Sequence, residues 1–229
     1  RFRKYGVLKF IGHLDVMRYF QKAIRRADVD ICYSEGYSPH MIMSFASPLG
    51  LGLESDGEYM DIRINGSISS KEAVRRLNAV MVEGIDVMSF RELPENSKNA
   101  MASVAAADYE VRFREGCAPE DGWKEQFTEF LAQPEMRIVK ETKKGQQEID
   151  IRPWIYNWEI VDDMIKMQVS AGSVHNLKPE MVLKAFAEHI GWDMPQFALL
   201  VTRREMYADQ GTEEERKLIS LEALGEEIG

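Results

Sequence analysis

The strongest constraint on the fold is the switching of hydrophobic period between two and about 3.6 along residues 1–90. Arg1 to Phe10 reads as a strand with a turn at Gly6, and His13 to Ala27 follows with Leu14, Met17, Phe20, Gln21 and Ile24 at helical spacing. Ile31 to Tyr33 is a short strand. Met41 to Ala46 and Glu58 to Ile64 are further strands, separated by loops punctuated with glycine and proline. Ser69 or Ser70 caps a helix running to about Val82, whose apolar face is Ala73, Val74, Leu77, Val80 and Met81, and Ile85 to Phe90 resumes as a strand. The order β-α-β-β-α-β is the split βαβ pattern of a ferredoxin-like domain. Two helices then cover one face of an antiparallel sheet and leave the other face available.

The second half repeats the theme. Residues 93–107, with proline, serine, asparagine and a run of small side chains, read as a linker. Tyr109 to Arg114 is then a strand, Glu120 to Ala132 a helix, and Met136 to Lys140, Glu148 to Ile151 and Ile165 to Val169 are strands around turns at Lys144-Gly145 and Asp162-Asp163. Leu177 to Ile190 is a helix with Pro179 near its start and Gly191 at its end, and Ala198 to Arg203 is a last strand. Arg1-Phe2-Arg3 and Arg112-Phe113-Arg114 occupy corresponding strands, the mark of a possible duplication. The expected fold is therefore α+β, with ferredoxin-like domains at 1–92 and 108–209 and an acidic peripheral tail at 210–229.

A chain of 229 residues with 45% hydrophobic content suits two such domains. No stretch approaches the roughly 18 consecutive apolar residues of a membrane span, and the start of the chain has no signal-peptide core, so a cytoplasmic protein is expected. Cys32 and Cys117 are the two cysteines, too few and too distant for a disulfide framework or for a zinc or iron–sulfur cage. The net charge of −9 argues against a protein that coats nucleic acid non-specifically. The sum hides an asymmetry: Arg1, Arg3, Lys4, Lys9, Arg18, Lys22, Arg25 and Arg26 outnumber Asp15, Asp28 and Asp30 near one end, whereas glutamates dominate from Glu205 onward.

The densest unusual segments are Gly12-His13-Leu14-Asp15, the loop Tyr33-Ser34-Glu35-Gly36-Tyr37-Ser38-Pro39-His40, and Gly57-Glu58-Tyr59-Met60-Asp61. Together they resemble the radical SAM-linked protein family, whose pattern has a His-Leu-Asp at the first helix, a Tyr-Ser-x-Gly-aromatic-x-Pro-His loop and a Gly-Glu-Tyr-x-Asp strand. The likeness covers mainly residues 1–91, with fainter agreement at Asp150-Ile151-Arg152-Pro153, and departs from the family at Gly12 and Ser38. Members of that family are encoded beside, or fused to, a cobalamin-binding radical SAM protein. The resemblance thus implies a radical SAM protein as partner and names a neighbour rather than a reaction. A radical SAM cluster needs three closely spaced thiolates, so the iron–sulfur cluster, S-adenosylmethionine and cobalamin are expected on the partner, with no cofactor in this chain.

Two chemical readings remain open. His13 and His40 would act as acid and base if the loop folds over the first helix, with Tyr33, Ser34 or Asp15 orienting them; equally, both fill structural roles. Neither has a second histidine at metal-ligand spacing, and His175 and His189 read as structural. Alternatively, Lys4, Arg18, Lys22, Arg25 and Arg26 meet phosphates while Tyr33 and Tyr37 stack on unpaired bases, a combination suited to single-stranded RNA; the same charges also describe an ordinary solvated helix face. The expected binding set is His13, Asp15, Arg18, Lys22, Arg25, Tyr33, Ser34, Gly36, Tyr37, Pro39, His40, Glu58, Asp61 and Arg152, with no metal site. The leading expectation is an accessory protein presenting RNA to a radical SAM partner. The alternatives are a metal-independent RNA-processing or RNA-modifying enzyme using His13 and His40, and a protein–protein adaptor without RNA.

Overall fold

The computed structural model describes residues 1–142, 145–212 and 215–229. Lys143, Lys144, Glu213 and Glu214 lie outside the described residues, and part of the turn expected at Lys144-Gly145 falls there. The chain divides into two units, one made of 1–106 with 203–229 and the other of 107–202.

The first unit begins with β1 (Phe2–Lys4), which stops where Gly6 takes a positive φ of 61° and a 3-10 turn, Gly6–Phe10, follows. Then come α1 (His13–Arg26), β2 (Met43–Phe45), β3 (Glu54–Glu58), β4 (Met60–Ile62), α2 (Ser70–Asn78), β5 (Ile85–Val87), α3 (Ala100–Ser103) and the start of β6 (Val104–Phe113). Helix α1 forms because Val16, Phe20, Ala23 and Ile24 recur at three- and four-residue spacing and are buried together. Helix α2 starts where the Ser69 hydroxyl accepts the Glu72 N–H, the cap expected from sequence. Phe20 is the centre of this core: its ring lies 4.7 Å from Phe2 and 5.9 Å from Phe45, and Leu77, Ile85 and Val87 close the cluster.

The second unit carries the rest of β6, α4 (Trp123–Leu131), β7 (Arg137–Thr142), β8 (Gly145–Asp150), β9 (Ile155–Val161), β10 (Met164–Ser170), α5 (Pro179–Ile190) and the first residues of β11 (Leu199–Asp209). Its strand order is β11-β6-β10-β9, and β7 and β8 pair separately as a hairpin. Phe127 of α4 and Phe186 of α5 meet edge to face at 4.9 Å in its core. His175 stacks on Trp154 and His189 packs against Phe130. From Arg203 onward β11 belongs to the first unit, where β12 (Leu218–Ser220) pairs with it.

The α+β class holds, but the ladder of the first unit differs from a simple split βαβ sheet. Strand order there is β5-β1-β3-β11, with β2 leaving to pair with β4 in a sheet of two. The stretch 93–107, expected as a linker, contains α3 and the first residues of β6. Its run of small residues is a strand interior, since Ala106 and Ala107 are fully buried. The stretch 210–229, expected as a peripheral tail, contains β12 and a 3-10 turn with Leu221 buried. No helix among the described residues is long and apolar enough to cross a membrane.

Because Phe20 fills the middle of the first core, Phe20→Ala is expected to cost about 3–5 kcal/mol in urea denaturation, with the loss read from the midpoint at unchanged slope.

Candidate functional site

The positions singled out from sequence fall into four settings. Along α1, Asp15 and Arg18 form an exposed ion pair at 3.3 Å, one turn apart. Lys22, Arg25 and Arg26 are exposed further along the helix, and among the described residues none of their side chains has a hydrogen bond or ion pair. Their place in the last two turns also complements the negative end of the helix dipole, a stabilising role that needs no ligand.

The second setting is the loop between Tyr33 and Met41, which bridge each other as an antiparallel pair. Ser34 N–H donates to the His40 carbonyl at 2.8 Å, His40 N–H donates to the Ser34 hydroxyl at 3.1 Å, and that hydroxyl sits 2.8 Å from His40 Nδ1. Gly36 turns the chain at a φ of 112°, a conformation L side chains rarely adopt. Pro39 is exposed, Tyr33 is half exposed, and Tyr37 has no neighbour covering it at all, with a relative exposure of 109%. A fixed collar around a bare aromatic ring is therefore the character of this loop.

The third setting is buried. Glu58 accepts from Arg203 Nε at 2.8 Å and from Nη2 at 2.6 Å on both carboxylate oxygens, with side chains only 6% and 3% exposed. Arg203 also donates to the Ser47 carbonyl at 2.9 Å. Lys4 lies beside this pair at 3% exposure, with a long 3.4 Å bond to the Ile11 carbonyl. Burial pushes the Lys4 ammonium below the usual lysine range, Glu58 opposes the shift and Arg203 adds to it. His13 opens α1 and meets Phe45 edge to face at 5.1 Å, and it lines a void of about 10 Å³ with Lys4 and Glu58. Lys4, read from sequence as a phosphate contact, is thus a core residue, as is Arg203. Burial that only pairing makes tolerable explains why their charges do not reach solvent.

The fourth setting is a cavity of about 400 Å³ within the first unit, walled by 59–64, 89–93 and 221–228. Alternation along the strand sends Met60, Ile62 and Ile64 against the core and leaves Asp61 and Arg63 on the other side. Asp61 Oδ2 accepts the Ala100 N–H at 2.6 Å, and burial holds the carboxyl above its ordinary range. The Tyr59 hydroxyl donates to Glu205 Oε1 at 2.6 Å, and burial followed by that carboxylate pushes the phenol well up. Glu222 ties Arg1 at 2.7 Å and Arg91 at 3.7 Å on the far wall.

The structure thus sets His13 and Glu58 around one small void and joins Ser34 to His40, and among the described contacts it makes no direct link between His13 and His40. Arg152 belongs to the second unit, where it donates to the Ile155 carbonyl at 3.1 Å. Arg63, Arg91 and Lys98 were missed from sequence. The alternation of Met60, Ile62 and Ile64 was the signal available for Arg63. No group of three or more histidine, cysteine or acidic side chains among the described residues is placed to hold a metal ion.

Residues 1–179 match the model of a family described as an uncharacterized protein conserved in bacteria, DUF2344. No curated protein matches the chain. Among solved structures, a chain of a complex described as Cbf5-Nop10-Gar1 is similar at a TM-score of 0.44 and 12% identity over 89% of this chain, which spans about half (47%) of that chain's length.

Two outcomes are expected. Glu58→Gln, which leaves the Arg203 charge buried without its partner, costs about 3–5 kcal/mol by urea denaturation. The Lys4 pKa is lower folded than unfolded, so the unfolded chain binds more protons and stability rises with pH as Lys4 is neutralised. Lys4→Met removes that rise, so the stability of wild type relative to the variant increases as pH climbs toward the unfolded lysine's 10.5.

Proposed function

The chain belongs to the uncharacterised bacterial family DUF2344, and we propose that it is an accessory protein that holds single-stranded RNA for a partner carrying the chemistry. The observation that carries this reading is Tyr37, a bare ring on a loop whose base is held by Ser34 and His40. An exposed aromatic on such a loop offers stacking worth about 1–3 kcal/mol per base without reading its identity. The unpaired Lys22, Arg25 and Arg26 supply cations for phosphates on the same unit. A solvated helix face explains the cations alone but leaves Tyr37 unexplained.

The partner we propose is a radical SAM protein, which would hold the iron–sulfur cluster, S-adenosylmethionine and cobalamin, and the support for it is the family resemblance. Exposed Val7, Phe10, Leu14 and Leu51 support a protein contact. Phe10 and Leu51 are brought close because Gly52 N–H donates to the Lys9 carbonyl at 2.9 Å. The separate settings of His13 and His40 favour binding over acid–base catalysis by that pair.

Fluorescence anisotropy with a labelled single-stranded RNA and a blunt duplex of the same sequence tests the reading. The single strand should bind more tightly, with affinity falling steeply as salt rises. Tyr37→Ala should weaken it by about 5- to 150-fold, the equivalent of one lost stack. Lys22→Glu with Arg25→Glu should flatten the salt dependence. Binding that ignores salt and all three substitutions would remove the RNA part and leave a protein adaptor. Loss of a co-purifying radical SAM protein on Phe10→Asp with Leu14→Asp would locate the partner contact.

A further inference from the structure

The 400 Å³ cavity of the first unit is lined by both charged and apolar side chains. Its volume lies in the range of pockets that enclose most of a small ligand, about 300–1,000 Å³. On one wall Asp61 keeps a half-buried carboxylate: Oδ2 is occupied by the Ala100 N–H, and among the described residues Oδ1 accepts no hydrogen bond. Arg63 stands just past the end of β4, the strand that carries Asp61, and Lys98 precedes the short helix that holds Asp61; both side chains are exposed and have no ion pair or hydrogen bond among the described residues. Phe90, half-buried, supplies an apolar wall. An open acceptor, exposed cations and an aromatic side lining one cavity match three parts of one molecule: an amino group, an anionic group and a flat ring.

We infer that this cavity binds a single nucleotide whose base carries an exocyclic amino group, with the amino group on Asp61 Oδ1, the base against Phe90 and the phosphate at Arg63 and Lys98. The choice of a nucleotide rests on the RNA reading; the site itself is separate from the Tyr37 loop. A carboxylate accepts from the amino group of cytosine or adenine. Uracil presents its one edge N–H between two carbonyl oxygens, which the same carboxylate repels. Burial raises the Asp61 carboxyl above its ordinary range, with the Ala100 N–H opposing that shift.

The test is titration of the intact chain with CMP and UMP, two nucleotides of nearly equal size. Wild type should bind CMP about tenfold more tightly than UMP, the scale of one hydrogen bond to a charged group. Asp61→Asn keeps an oxygen for the Ala100 N–H but presents an NH2 where Oδ1 stood, so the preference should turn toward UMP, whose O4 accepts. A purely structural Asp61 would not produce that reversal. Arg63→Ala with Lys98→Ala should weaken CMP while leaving cytidine, which lacks the phosphate, unchanged. Competition between CMP and a cytidine-containing single strand would assign the nucleotide to RNA, and independent binding of the two would assign it to a free nucleotide. Equal binding of CMP and UMP, or no binding of either by a chain whose Tyr37-dependent RNA binding is intact, overturns the site and spares the RNA reading.

Discussion

The first unit depends on one buried ion pair, Glu58 with Arg203, which joins residues 145 positions apart in sequence. Two charges out of water are tolerable only when their geometry is good and their remaining hydrogen-bonding groups are filled. Here both carboxylate oxygens and the Ser47 carbonyl are engaged, and the Ser55 hydroxyl adds a 3.1 Å bond to the Arg203 carbonyl. The strands meet so closely that a Cβ on Gly57 would lie 2.6 Å from the Arg204 carbonyl oxygen, so only glycine fits between Asp56 and Glu58. From this contact the chain runs directly to Tyr59 on Glu205 and then to Asp61 and Arg63 at the cavity. The segment Gly57 to Asp61, which reads from sequence as a binding strand, is thus first a clamp, and its last residues line the ligand-sized space.

The helices were legible because burial of one face imposes a local period: Phe20 and Ile24 announce α1, although its buried face passes through Val16 and Ala23 while Leu14 is exposed, and Ser69 announces the start of α2. Pairings over long separations left no such trace. Nothing local in Arg203-Arg204-Glu205 says that β11 continues to Asp209 and lies beside β3, because the partner supplying the reason is Glu58. The small residues near Ala106 were misleading for a related reason, since close packing inside a strand and flexibility in a linker select the same side chains.

The candidate site was legible in part. Ser34, Gly36, Tyr37 and His40 do form one ordered loop, as punctuation by glycine and proline suggested. Charge type alone could not separate Lys4 and Arg203 in the core from Lys22 and Arg25 on the surface, because burial is decided by partners far along the chain. The net charge of −9 coexists with a local cationic helix end, so the total says little about what any one face binds.

The proposed stacking of an unpaired base on Tyr37 is tested most directly by ultraviolet crosslinking of the chain to a single-stranded RNA, followed by mass mapping of the adducts. The account predicts adducts on the peptide containing Tyr33 and Tyr37, suppressed when the RNA is annealed to its complement. Adducts confined to residues 107–202, or an equal yield with duplex, would contradict it.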